Sequence, residues 1–277
     1  MWRALAALCA AFASMPTAGA QSGGPVDRFP GAAASYLVLA DGIPLWAAAP
    51  DARLPPASLT KLMTALLVVE AAEPDAIVVV SATAARVGGA RMRLAPGTRI
   101  AVSELLAGLL LRSANDACVA LAEHVAGTEA RFVARMNARA QTLGLANSHF
   151  ANACGFDAPG HHSSARDLSR LAQLALAVPS LARLMALERH TARTSDGRAF
   201  ALENTNVLLG LVPGLAGVKT GFTERAGHCL IGYAKRDGRS VLVVLLGATD
   251  RWWDAVAMIE QAFVHLRSAA PEVPLRG

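Results

Sequence analysis

The stretch CLIGYAKRDGRSVLVVLL, Cys229 to Leu246, decides the fold. It reads as two strands, Cys229 to Tyr233 and Ser240 to Leu246, joined by a turn at Arg236-Asp237-Gly238. Both alternate poorly between apolar and polar residues, so both are expected to lie buried. Just upstream, Val218 to Thr220 is a further short strand. Near the other end of the chain, Ser35 to Leu39 and Pro44 to Ala48 flank Asp41-Gly42, a pair suited to a tight hairpin turn. Helices are expected between these groups. One runs from about Ser58 to Glu70 after the break at Pro55-Pro56. A short strand, Ile77 to Val80, follows. Ser103 is placed as cap of a helix through Leu111, and Asp116 to Val125 forms the next. Thr128 caps a third, ending at Gly144, with Phe132, Val133, Met136 and Ala140 on one face. Ser164-Ala165-Arg166-Asp167 resembles a capping box and opens a fourth, to about Ala177. A shorter helix follows Pro179, and Asp250 caps a last one reaching Arg267. This order predicts an α+β domain over 34–268. Its N- and C-terminal strands share one sheet, and a mainly helical subdomain, about 75–200, is inserted.

The flanks and bulk properties bound the function. Met1 to Ala20 has one Arg, no acid, an apolar run from Leu5 to Phe12 and a small-residue exit at Ala18-Gly19-Ala20. That is the pattern of a cleaved signal peptide and predicts export to the periplasm. Residues 21–33 are expected to be a flexible leader and 269–277 a tail. The net charge of +5 is not gathered into a basic stripe, which argues against nucleic acid. Without the signal peptide three cysteines remain, Cys118, Cys154 and Cys229. They contain no Cys-x-x-Cys pair, so no metal is expected, and buried free thiols are preferred to the single bridge that could form. No cofactor is called for. His161, His162 and His228 lack metal-ligand spacing and are read as surface or packing residues.

Of 26 basic residues only Lys61, Lys219 and Lys235 are lysines. Arginine cannot lose its proton in a protein and lysine can, so lysines kept in an arginine-rich chain are candidates for tasks arginine cannot do. Two of the three fall in short motifs. In Ser58-Leu59-Thr60-Lys61 the helical spacing puts a hydroxyl and an amine on one face. A serine nucleophile needs a base, and Lys61 can serve if burial and a second cation lower its pKa. In Ser113-Ala114-Asn115 a second hydroxyl could relay a proton. The Asn115 amide could bind a substrate carbonyl and accept from Lys61, or simply cap the next helix. In Lys219-Thr220-Gly221 an ammonium and a hydroxyl could hold a carboxylate, while Gly221 admits a ligand backbone. At this composition about 0.16 Ser-x-x-Lys, 0.3 Ser-x-Asn and 0.012 Lys-Thr-Gly matches are expected by chance. Their conjunction, roughly 6 × 10⁻⁴, is not a chance pattern.

The three motifs resemble those of the penicillin-recognising serine enzymes. Within these the chain resembles the low-molecular-mass D-alanyl-D-alanine carboxypeptidases. The likeness extends through ASLTKLMTA (Ala57 to Ala65), GARMRLAPGT (Gly89 to Thr98), SANDA (Ser113 to Ala117), SSARDL (Ser163 to Leu168) and GVKTGFT (Gly217 to Thr223). It implies a five-stranded antiparallel sheet flanked by helices. It also implies Ser58, Lys61 and Ser113 as catalytic residues, acting on peptidoglycan stem peptides through an acyl-enzyme. Asn115, Lys219, Thr220, Gly221 and Phe222 would bind substrate, with the Ser58 and Phe222 backbone N–H groups as the oxyanion hole. The loop from Gly88 to Thr98 would assist deacylation, and β-lactams would acylate Ser58.

Some features depart from the family pattern. About ten residues follow the last helix, so neither a β-rich C-terminal domain nor an anchoring amphipathic helix is expected. Phe222 and Thr249 stand near places where the family often has His and Arg, and Arg251 could substitute for the latter. Three other readings compete with carboxypeptidase. The first is a D,D-endopeptidase cleaving crosslinks, favoured by the short form and by Ala226-Gly227-His228-Cys229-Leu230. The second is a non-turnover penicillin sensor. The third is a β-lactamase, which the want of a Glu-x-x-Leu-Asn segment opposes.

Overall fold

The computed structural model describes residues 26–268, so the signal-peptide and tail expectations lie outside the described residues. The strands are β1 (Ala33–Ala40), β2 (Ile43–Ala48), β3 (Ile77–Val79), β4 (Arg99–Ala101), β5 (Arg189–Arg193), β6 (Ala199–Glu203), β7 (Leu215–Thr223), β8 (Gly227–Arg236) and β9 (Arg239–Ala248). The helices are α1 (Lys61–Ala71), α2 (Ala82–Arg86), α3 (Val102–Leu110), α4 (Asn115–Ala126), α5 (Glu129–Thr142), α6 (Ala165–Leu176), α7 (Pro179–Ala186) and α8 (Arg251–Ser268).

The central sheet has five antiparallel strands in the order β2-β1-β9-β8-β7. Strand β1 pairs directly with β9, Ala33 opposite Ala248 and Ala40 opposite Val241, so strands from the two ends of the domain meet mid-sheet. The want of alternation in β8 and β9 has a simple cause: both faces of the sheet are covered. Leu37, Leu39, Ile231, Leu242, Val244 and Leu246 face the core shared with α1, α3, α4 and α6. Tyr36, Val38, Leu230, Val241, Val243 and Leu245 face α8, which returns Ala255, Met258, Ile259, Ala262 and Phe263. The stretch between β2 and β7 supplies α1 to α7 and two small two-stranded sheets, β3-β4 and β5-β6.

Three local expectations are corrected. Part of the leader is packed: Asp27 accepts the Tyr36 hydroxyl at 2.7 Å, and the Arg28 N–H reaches the same hydroxyl at 3.0 Å. Ser103 does not cap α3, which begins at Val102. The carbonyls of Ala76 and Pro74 take the Val102 and Ser103 N–H groups, so the helix start needs no capping side chain. Ser58 is not in an α-helix either. It sits on a 3₁₀ turn, Ala57–Thr60, that runs into α1. Ala57 has φ +48° and the Lys61 N–H bonds the Ser58 carbonyl three residues back, which makes the turn tight. The caps placed at Thr128 and Ser164 do accept, from Arg131 and Asp167. Asp250 accepts from Trp252 and Trp253 at the start of α8.

Candidate active site

Where α1 meets the open edge of β7, two lysines are buried, Lys61 at 0% and Lys219 at 1% exposure. The 3₁₀ turn aligns Ser58 with Lys61, because side chains three residues apart eclipse in that geometry. Lys61 Nζ lies 2.8 Å from Ser58 Oγ and 2.6 Å from the Cys154 carbonyl oxygen. Burial, and secondarily the positive charge of Lys219, hold Lys61 well below the ordinary lysine range. Lys219 is itself lowered to about 7, by burial first and by the Arg251 guanidinium second. Its ammonium donates to the Thr220 carbonyl at 3.0 Å. A buried amine whose hold on its proton is weakened by burial and a neighbouring lysine, set against a serine hydroxyl, is the arrangement an activated nucleophile needs.

The other predicted residues gather at the same place. Gly221 brings β7 against the 3₁₀ turn: a Cβ added there would lie 3.0 Å from Ala57 Cβ and 3.1 Å from the Ser58 nitrogen. Phe222, next in the strand, is half exposed and its ring centroid is 5.0 Å from that of His228. Thr220 Oγ1 is 2.6 Å from Thr205 Oγ1, an anchor the sequence did not suggest. Arg251 donates to the Gly221 carbonyl at 2.8 Å. Its buried Nε has no partner.

The middle motif is placed less as expected. Ser113 is nearly buried with φ +58° and makes no hydrogen bond to Lys61. Asn115 does not accept from Lys61 either. Its Nδ2 donates to the Gly88 carbonyl at 2.8 Å, tying the start of the Gly88-to-Thr98 loop to α4. Asp116, fully buried, accepts the backbone N–H groups of Met92, Arg93 and Leu94 at 3.0, 2.8 and 3.1 Å and so fixes that loop.

The preference for free thiols is corrected. Cys118 on α4 and Cys154 form a disulfide with Cα atoms 5.9 Å apart, and among the described residues Cys229 is the one free thiol, buried. That Cys154 carries the carbonyl facing Lys61 was not foreseen from the sequence. Gly155 was also missed: at φ +89°, any Cβ would overlap the Ala57 carbonyl. His161 is a packing residue, as read. Its Nδ1 accepts the Ala151 N–H at 3.0 Å, so the neutral ring donates from Nε2 to Thr60 Oγ1 at 2.9 Å. Burial lowers its pKa to about 4.

Comparisons with known proteins identify the relatives of this chain. A family model described as D-alanyl-D-alanine carboxypeptidase matches residues 32–250. The D-alanyl-D-alanine carboxypeptidase DacF of Bacillus subtilis is 39% identical over 219 residues, 76% of this chain and 56% of the relative. DacC of Escherichia coli is 36% identical over 79% of this chain and 55% of its own. The chain thus spans about half the length of the curated relatives it matches. The crystal structure of the Streptomyces K15 DD-transpeptidase superposes with a TM-score of 0.80 at 29% identity, covering 87% of this chain and 99% of the other.

Proposed function

Because the chain belongs to the D-alanyl-D-alanine carboxypeptidase family, we propose that it is a serine D,D-peptidase that removes the terminal D-alanine from peptidoglycan stem peptides. The observation that carries the reading is the buried Lys61 amine 2.8 Å from the Ser58 hydroxyl. The neutral amine takes the Ser58 proton as Oγ attacks the carbonyl of the penultimate D-alanine. The Ser58 and Phe222 N–H groups receive the developing oxyanion. β7 is an edge strand of the sheet, so a substrate backbone can lie along it as an added strand. Lys219 and Thr220 hold the terminal carboxylate, and Arg251 braces the Gly221 carbonyl beside them. The proton on Lys61 passes through the Ser113 hydroxyl, which gives up its own, to the leaving D-alanine amine, and water then hydrolyses the ester on Ser58. Asn115 and the loop it pins border the acyl group. A β-lactam presents a carboxylate and a strained amide to the same groups and acylates Ser58.

No helix among the described residues is long and apolar enough to cross a membrane. We assign the enzyme to the periplasm on the strength of its N-terminal pattern, with cell-wall peptides and β-lactams as its partners. Digestion of purified muropeptides, with and without penicillin, tests the activity. Free D-alanine released from monomeric pentapeptides is expected. Conversion of crosslinked dimers to monomers instead would establish the endopeptidase reading, and acylation without either product the sensor reading.

A further inference from the structure

We propose that the Cys118–Cys154 disulfide is a positioning element for the active-site base, holding the Cys154 carbonyl where it orients the Lys61 amine toward Ser58. The inference rests on Lys61 acting as that base. A neutral amine has two hydrogens and one lone pair. A carbonyl can only accept, so the 2.6 Å contact with Cys154 uses one N–H of Lys61. With that hydrogen fixed, the lone pair can be turned toward the Ser58 hydroxyl 2.8 Å away.

The Cys154 peptide lies in neither a helix nor a strand. It is held locally by Asn152, whose Oδ1 accepts the Cys154, Gly155 and Phe156 N–H groups at 3.2, 2.7 and 3.0 Å. Just before it, the Ala153 carbonyl accepts the Thr64 hydroxyl at 2.6 Å. Neither contact ties Cys154 to α4. The disulfide does, covalently, at a point one turn beyond Asn115, and Cys154 Sγ lies 3.9 Å from the Asn115 carbonyl. The bridge therefore completes a chain of contacts through the site: from Ser58 to Lys61, to the Cys154 carbonyl, and across the sulfurs to α4, which opens at the Ser113-Ala114-Asn115 turn. Opening it frees the carbonyl to move, and a shift of about 1 Å in such a group costs up to about a hundredfold in rate.

The test follows acylation of Ser58 by a fluorescent penicillin from pH 5 to 9, in three forms of the full chain. These are the oxidised protein, the protein reduced with excess dithiol, and Cys118→Ala. In the second, the dithiol is oxidised to its cyclic disulfide while the two cysteine sulfurs take up two electrons and two protons. The reduced and Cys118→Ala forms are expected to acylate about tenfold or more slowly at pH 7. Their acid limb is expected to move to higher pH, because a less confined Lys61 is better hydrated and binds its proton more tightly. A bridge serving only the fold would lower the melting temperature and leave the acid limb in place. The proposal is overturned by folded reduced protein with the oxidised rate and acid limb. It is equally overturned if reduction abolishes the native circular dichroism together with the activity. Oxidised protein that penicillin never acylates would refute the assignment of Ser58 and Lys61, a separate failure.

Discussion

The Asp116 carboxylate accepts the backbone N–H of Arg93 at 2.8 Å, across 23 residues of sequence, and Arg93 is held there at φ +67°. A left-handed arginine persists only where its surroundings impose it. Here a buried anion collects three consecutive N–H groups and sets the course of the loop beside the site. Asp116→Asn turns one acceptor into a donor facing those N–H groups. We expect a loss of about 2–4 kcal/mol by denaturant unfolding. If the Gly88-to-Thr98 loop assists deacylation, as the family resemblance implies, the penicilloyl adduct should also live longer by mass spectrometry. An unchanged adduct lifetime would remove that role.

Ser58→Ala should abolish covalent labelling by penicillin and leave the melting temperature within a few degrees. Lys61→Arg should be nearly as damaging, because a guanidinium cannot accept the serine proton. Labelling of the Lys61→Arg protein within tenfold of the native rate would contradict the assignment of the base.

The two lysines predict opposite limbs in the pH profile. Lys61 must be neutral to act, so the acylation rate falls as pH drops through its depressed pKa. Lys219 must be charged to hold a carboxylate, so KM for a D-Ala-D-Ala peptide should rise as pH climbs through about 7. Steady-state kinetics between pH 5 and 9 separate the two effects. A KM flat across that range would show that Lys219 does not bind the carboxylate.

Burying an ammonium costs stability. The folded pKa of Lys219, about 7, lies below its ordinary value of 10.5, so at neutral pH the unfolded chain binds the proton better than the folded one. Lys219→Met should therefore raise stability by about 1–3 kcal/mol at pH 7, while carboxylate recognition is lost. The gain should shrink as pH rises from about 7 toward 10.5, where the unfolded chain also loses the proton. Thermal melts at pH 7 and pH 10 check both sign and trend.

Gly155→Ala should cut acylation by about a hundredfold or more, because the new Cβ would press on the Ala57 carbonyl and the Ser58 nitrogen. A rate within threefold of the native one would show that the turn yields without harm to the nucleophile.

How much of this was legible depended on how local each cause was. The strands β8 and β9 and the caps at Thr128 and Ser164 follow from residues close in sequence. The Lys61–Lys219 pairing was legible because each lysine sits in its own motif. The 3₁₀ turn at Ser58 was not, since it differs from an α-helix only in which carbonyl takes the Lys61 N–H. The β5-β6 hairpin was missed because β5 carries Arg189, His190 and Arg193, and the apolar run of β6, Ala199 to Leu202, is too short to tell a strand from a helix. The bridge between Cys118 and Cys154 depends on where the loop after α5 returns, and an odd number of cysteines gave no hint of the pairing. Asn115 was placed at the site, but its bond to Gly88 needed the loop's path.

The β1–β9 seam has a consequence for how the chain acquires its shape. Ala33 cannot meet Ala248 until more than two hundred residues between them exist and have been drawn together. Its neighbour β2 can form a hairpin with β1 early, but the free side of β1 must wait for material made near the far end of the chain. Such distant pairing slows folding and leaves an unsatisfied strand edge open meanwhile. Substitutions along that seam, such as at Leu37 or Val244, should therefore act on how fast and how cleanly the protein matures as well as on its final stability.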